Sequence, residues 1–190
     1  MDLLPAIVIG YVVGSLPIGY VMLQRARGVD LRRVGSGNVG ATNVYRTSGP
    51  GMAIAVMLAD AFKGAGAVWL FGGGAHAATA GAAAVIGHIY PVWLRFKGGK
   101  GVATAGGAFS VLSPIATLIA AAAFAIVVFR SRFVSLGSIV ATLTLPVVEW
   151  LTPGALAVDV AATIVAALIL FRHRGNMLRL WSRSERALGA

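Results

Sequence analysis

The stretch VATAGGAFSVLSPIATLIAAAAFAIVVF, Val102 to Phe129, decides how this chain folds. It carries no charged residue, and Ser113-Pro114 sits near its middle. A straight membrane helix needs about 20 residues, and proline disfavours helix at the residue before it. The stretch therefore reads as two membrane helices that meet at Pro114. Apolar blocks lie on either side of it. Leu3–Leu23, Met52–Phe71 and Ala77–Leu94 come before, and Phe133–Leu151 and Gly154–Phe171 come after. With the break at Pro114 there are seven spans. Without it there are six, and the termini share a side.

The basic residues choose between the two counts. Arg25, Arg27, Arg32, Arg33 and Arg46 lie between the first two blocks, and Arg95, Lys97 and Lys100 between the third and fourth. Arg130 and Arg132 lie between the fifth and sixth, and Arg172, Arg174, Arg179, Arg183 and Arg186 follow the seventh. With seven spans, 15 of the 16 bases share one face, Lys63 inside the second span being the exception. With six, the groups after Pro114 switch sides. Cytoplasmic loops carry the excess of Lys and Arg. The expected fold is thus all-α and polytopic, with seven transmembrane helices, the N-terminus outside and the C-terminus cytoplasmic. Residues 1–190 form one integral-membrane domain.

Composition agrees. Apolar residues make up 58% of the 190, and charged residues 12%, against about 25% charged in soluble domains. Mean hydropathy is +0.85. A soluble globule of this size could not hide so much apolar surface. Water-soluble enzyme, disordered tail and nucleic-acid-binding domain are all disfavoured, so the net charge of +10 is a topology signal. The absence of cysteine removes thiol catalysis, cysteine metal sites and disulfides. The first block lacks a basic leader and Asp2 precedes it, so it is expected to be a retained helix.

Three segments on the basic face carry chemistry. RRVGSGNVGATNVYR, Arg32 to Arg46, has Gly35, Gly37 and Gly40 in a G-x-G-x-x-G spacing. No strand precedes it, so a dinucleotide site is rejected. Closely spaced glycines still let backbone N–H groups converge on an anion. Ser36, Asn38, Thr42 and Asn43 add hydrogen-bonding groups, and the planar fork of Arg46 suits phosphate. GHIYPVWLRFKGGKGVAT, Gly87 to Thr104, sets Lys97 and the glycines Gly98, Gly99 and Gly101 about Lys100 at the start of an apolar helix. A helix N-terminus there favours an anion. RHRGNMLRLWSRSE, Arg172 to Glu185, places His173 and Asn176 three apart, on one face if helix continues. Each segment also has a plain reading: a flexible loop, a snorkelling basic turn, a membrane-surface tail. His88 reads equally as a helix–helix hydrogen bond or a site residue. Asp60 and Lys63, three apart inside the second span, read as an ion pair or as part of a proton path.

Together GSGNVGATNVYR, GHIYPVWLRFKGGKGVAT and HRGNMLRL resemble the three signature segments of the bacterial acyl-phosphate:glycerol-3-phosphate acyltransferase family. The likeness extends to length and span number and covers nearly the whole chain. It implies an enzyme of phospholipid synthesis in the bacterial cytoplasmic (inner) membrane, with its active site facing the cytoplasm. The acyl group of an acyl-phosphate moves to the first hydroxyl of glycerol 3-phosphate, giving lysophosphatidic acid and phosphate. Membrane lipids are the other partners, and no nucleic acid, cofactor or metal is implied. Gly175 stands where the family often has Glu, and Arg183 where Gly is common. Glu185 is then the alternative acid.

An acyl-phosphate arrives activated, so no covalent intermediate is needed. No Ser-His-Asp arrangement is evident. The fifth residues after His76, His88 and His173 are Gly81, Trp93 and Leu178, so the histidine–aspartate acyltransferase spacing is missing. Positioning and electrostatics are the expected means of catalysis. Ser36, His173 and Asn176 are the candidate catalytic residues. Arg46, Lys100, Gly37, Asn38, Thr42, Asn43, Lys97, Gly98, Gly99, Gly101 and His88 are the candidate substrate-binding residues. A small anion transporter or lipid flippase is the competing class. Transporter sites lie at the midplane between repeats, whereas here the polar segments gather at one face.

Overall fold

The computed structural model describes residues 2–189, and among them every regular element is helical. In order these are α1 (Leu4–Ser15), α2 (Ile18–Arg27), a 3-10 turn (Leu31–Arg33), α3 (Ala41–Ser48), α4 (Pro50–Trp69) and α5 (Gly74–Ile89). A second 3-10 turn (Val92–Leu94), α6 (Val102–Leu112), α7 (Pro114–Ser131), α8 (Val134–Leu151), α9 (Leu156–Arg172) and α10 (Arg174–Trp181) follow.

Proline sets several boundaries. Pro50 and Pro114 open α4 and α7, where a missing N–H removes no helical bond. The expected break at Pro114 is present, because α6 ends at Leu112 and Ser113 adopts an extended φ of −150°. Pro17 divides the first apolar block into α1 and α2. Each apolar block of the sequence contains a helix, but not all are long enough to cross. Five candidate spans are long and apolar enough: Leu4–Arg27 taken across its break, α4, α5 taken with the 3-10 turn after it (Gly74–Leu94), α7 and α8. A sixth arises if α9 and α10, bent by 55° about His173, count as one. The 11-residue α6 rises only about 16 Å. It is short because Gly98–Gly101 folds into a turn before it rather than extending it.

Inside lipid, helices are held by close packing of small residues rather than by the hydrophobic effect. α5, GAHAATAGAAAVIGHI, is the central helix, packed by α1, α4, α6 and α9. Its fit against α1 needs glycine on both sides. A Cβ at Gly14 would overlap the Ala84 carbonyl, and one at Gly87 the Tyr11 carbonyl. The α4–α6 contact repeats the device through Gly64 against Thr104 and Gly107 against Ala61. α7 instead presents Ile115, Leu118, Ile126 and Phe129 outward, as a lipid-facing helix should. The segment between α2 and α4 is folded, not a loose linker. Its Leu31, Val39 and Val44 pack with Leu23, Ala53, Val56 and Leu94 into a second apolar core. That core carries the first signature segment to the end of the bundle where α5 and α9 finish and α6 and α8 begin.

Candidate active site

The first segment is shaped by one buried amide. Asn43 Oδ1 accepts from the Ser36 N–H (2.8 Å), while its Nδ2 donates to the carbonyls of Val34 (3.0 Å) and Leu31 (3.3 Å). Gly35 (φ 61°) and Gly37 (φ 70°) take the left-handed turns this path requires. A side chain at Gly35 would also overlap Asn43 Oδ1. Asn38 Oδ1 accepts from the Gly40 N–H (2.9 Å) just before α3, whose first turn carries Thr42 and whose second carries Arg46 to the site.

The second segment folds back on α5. The N–H groups of Gly98 and Gly99 donate to the carbonyls of Ile89 and His88, each at 3.1 Å. Lys100 follows, and its ammonium donates to Asn176 Oδ1. Gly101 (φ 90°) then turns the chain into α6.

The third segment supplies the partners. His173 sits in the bend between α9 and α10 and is 2% exposed. Its Nδ1 lies 2.8 Å from the Ile169 carbonyl. A carbonyl only accepts, so Nδ1 carries the hydrogen, and a neutral ring then keeps its lone pair on Nε2. Asn176 accepts from Lys100 and donates through Nδ2 to Glu185 Oε1 (2.6 Å). Glu185 also accepts from Ser135 Oγ (2.8 Å) and Arg179 Nε (2.7 Å). Burial alone would raise the Glu185 carboxyl, but the hydrogen bonds from Ser135, Asn176 and Arg179 outweigh it and hold it below the usual carboxylate range. Burial pushes the Lys100 ammonium down to about 8. Glu185 opposes this, and Arg179, Arg172 and Arg46 add to it.

These groups surround one cavity of about 1270 Å³. Its polar end is walled by Ser36, Asn38, Thr42, Asn43, Arg46, His88, Lys100, Gly101, His173 and Asn176. The structure thus brings together residues up to 140 positions apart, for Arg46 Nη2 donates to the Arg186 carbonyl (3.1 Å). Gly37, Lys97, Gly98 and Gly99 are not on the wall. Lys97 is exposed. The amides of Gly37, Gly98 and Gly99 are engaged with the carbonyls of Val34, Ile89 and His88, so these glycines shape turns instead of offering N–H groups to a ligand. Asn43 reaches the wall with its amide already occupied by backbone. The N-termini of α3 and α6, at Ala41–Thr42 and Val102–Ala103, do open on the cavity.

The wall also holds Ser135, Arg172 and Arg179, which were not among the candidate site residues, and Glu185, which the sequence offered only as an alternative acid. In the sequence Arg172 and Arg179 read as topology-setting bases of a membrane-surface tail, and Ser135 lies in no motif. The other arm of the cavity is apolar and small-residue lined, with Met57, Phe109, Ala120, Ala141, Leu145 and Ile169 among its walls. Counting the wall by charge gives six cations, Arg46, Lys100, Arg172, Arg174, Arg179 and Arg186, against two acids, Asp60 and Glu185. Arg46 Nε and Arg172 Nε are buried without a hydrogen-bond partner among the described residues. The arrangement suits an anion beside an apolar chain.

Comparison with known proteins agrees with this geometry. A family model described as glycerol-3-phosphate acyltransferase matches residues 4–183. A glycerol-3-phosphate acyltransferase of Syntrophotalea carbinolica is 44% identical over 180 residues, covering 92% of each chain. One of Myxococcus xanthus is 46% identical over 186 residues, covering 95% of this chain and 96% of its own. The crystal structure of PlsY (YgiH), an integral membrane glycerol 3-phosphate acyltransferase, in its glycerol 3-phosphate form, superposes with a TM-score of 0.91 at 38% identity. The match covers all of this chain (100%) and 96% of that one. Its lysophosphatidic acid form gives the same TM-score of 0.91 at 36% identity. With its apolar helices, its three signature segments around one cavity and these relatives, the chain is a multi-pass membrane protein that belongs to the glycerol-3-phosphate acyltransferase family.

Proposed function

We propose that this acyltransferase takes its acyl group from an acyl-phosphate and passes it directly to the first hydroxyl of glycerol 3-phosphate. The observation that carries the reading is the excess of cations at one end of a cavity whose other end is apolar. Two phosphate-bearing substrates, one with a long chain, fit such a charge division. The relatives solved in glycerol 3-phosphate and lysophosphatidic acid forms support the same pair of ligand types.

Arg46 and Lys100 hold the glycerol 3-phosphate dianion, with Thr42 and the first turn of α3 beside them. Asn176 and Glu185 fix the height of the Lys100 ammonium. The substrate hydroxyl oxygen attacks the acyl carbon, the bond from that carbon to the phosphate oxygen breaks, and phosphate leaves with the electron pair. Ser36 hydrogen-bonds substrate and is not acylated. The hydroxyl proton has two acceptors available, His173 Nε2 and a phosphate oxygen. His173→Asn separates them, because Asn keeps a donor for the Ile169 carbonyl and deletes the Nε2 lone pair. An essential histidine base loses its titration and most of the rate in that variant. A phosphate acceptor leaves the pH profile in place.

The proposed topology has seven crossings, with α6 as the short fourth one and the cavity mouth on the cytoplasmic face of the bacterial inner membrane. The distribution of the 15 bases supports it. The decisive assay is phosphate release from palmitoyl-phosphate by solubilised enzyme. Release is expected only when glycerol 3-phosphate is added. A transporter or flippase gives none, and equal activity with acyl-CoA would remove the proposed donor. Labelled acyl-phosphate given alone and then denatured away should leave no label on protein. Stoichiometric label on a Ser36 peptide would establish an acyl-enzyme instead.

A further inference from the structure

Asp60, Lys63 and His88 form a buried cluster that the chemistry above does not use. Their side chains are 5%, 4% and 7% exposed. Asp60 Oδ1 receives Lys63 Nζ at 2.8 Å and faces His88 Nδ1 at 3.3 Å. Lys63 Nζ also donates to the Leu16 carbonyl (3.2 Å), at the break Pro17 makes between α1 and α2. One acid thus serves two bases, and the ammonium is tied to a fixed backbone oxygen. Charges inside a membrane protein are costly and are kept for use. The ring is fixed from two sides: its Nδ1 faces Asp60, and its Nε2 lies against Gly99, where a Cβ would overlap that nitrogen.

What the ring does touch is the turn before Lys100. The Gly99 N–H donates to the His88 carbonyl and the Gly98 N–H to the Ile89 carbonyl. The His88 side chain fills the space directly under Gly99. Main chain and side chain of one residue therefore floor the turn from which Lys100 reaches Asn176. We infer that Asp60, Lys63 and His88 are positioning residues. They lock the His88 ring under Gly99 and so set the height of the Lys100 ammonium in the cavity. The inference rests on the reading that Lys100 holds the substrate phosphate. It explains why position 99 is glycine although its φ is ordinary, since the restriction is the ring and not the backbone.

The test is a double-mutant cycle on solubilised enzyme, with KM for glycerol 3-phosphate and kcat read separately. His88→Ala alone should raise KM roughly tenfold, with a smaller change in kcat. In a Lys100→Ala background the same substitution should add less than about twofold, because residues acting through one group are not additive. A full further tenfold rise in that background overturns the relay and leaves the role of Lys100 standing. If Lys100→Ala alone changes nothing, both the phosphate role and the relay fall. A second pair guards against a general loss of folding. Gly99→Ala should be impaired, and adding His88→Ala should restore part of its activity by making room for the new methyl. A double variant poorer than both singles overturns the proposed contact.

Discussion

Lys100 is the residue at which charge and burial act against each other most clearly. A charge-assisted contact to phosphate contributes about 1.5–3 kcal/mol. Lys100→Ala and Arg46→Ala should therefore each lower kcat/KM for glycerol 3-phosphate roughly tenfold to a hundredfold. Arg46→Lys should recover only part, since lysine lacks the planar fork. Steady-state kinetics with glycerol 3-phosphate varied check both, and equal activity of Arg46→Lys, Arg46→Ala and the parent would take Arg46 out of the site. The pH dependence has a definite sign. With its ammonium depressed to about 8, Lys100 is charged below that pH and neutral above it. Binding of the dianion should weaken as pH rises through about 8, and Lys100→Arg should move that alkaline limb upward. A limb unmoved in Lys100→Arg would assign it to another group. Asn43 teaches the opposite lesson. It was expected among the ligands, yet its amide is spent on Ser36, Val34 and Leu31. It contributes by holding the turn that presents Ser36.

Among the elements, α4 offers a controlled comparison two residues apart. A Cβ at Gly64 would overlap the Thr104 carbonyl of α6, whereas Gly66 has open space around it. Forcing a methyl into a close-packed contact costs about 1–3 kcal/mol. Gly64→Ala should therefore lower the unfolding temperature in detergent, and Gly66→Ala should not, since Ala is the better helix former. Equal melting of the two variants would mean that α4 and α6 do not approach as closely as described. The segment after α10 is also an element in effect, though not a helix. Glu185 is pinned by Ser135, Asn176 and Arg179, the Arg186 carbonyl receives Arg46, and the Leu188 N–H reaches the Arg132 carbonyl (2.7 Å). It ties α3, α8 and α10 together across the cavity mouth. In the sequence this stretch reads as a membrane-surface tail with Glu185 as an alternative acid, because nothing local marks a chain that folds back on a distant helix.

For the whole molecule, the arrangement of charge makes the sharpest forecast. In the proposed seven-crossing topology the termini lie on opposite faces, with the C-terminus cytoplasmic. Reporter fusions at both ends should report opposite sides. Both reporters on one side would sink the model. The short α6 is the place to look if that happens, because its 11 residues span only about half of a hydrocarbon core near 30 Å.

The sequence by itself determined that this is a helical membrane protein with its chemistry in three polar segments, since bilayer thickness and the cost of unpaired backbone in lipid permit little else. The helix boundary at Pro114 was equally legible, because proline acts on its own neighbours, whereas the break at Pro17 falls inside a block that reads as one span. Ser36, Arg46, Lys100, His173 and Asn176 also stand out by type and spacing in so apolar a chain, and the structure places all five on one cavity wall. Only the tertiary structure decided which polar groups face the cavity and which are consumed as scaffold. Hydrogen bonds such as Asn43 to Leu31, Gly99 to His88 and Asn176 to Glu185 depend on where a turn closes in space, which no local pattern records. The same holds for Ser135 and Glu185, 50 residues apart and 2.8 Å from contact to contact. Their meeting depends on how α8 packs beside α9 and α10, a consequence of small residues fitting together across the whole bundle.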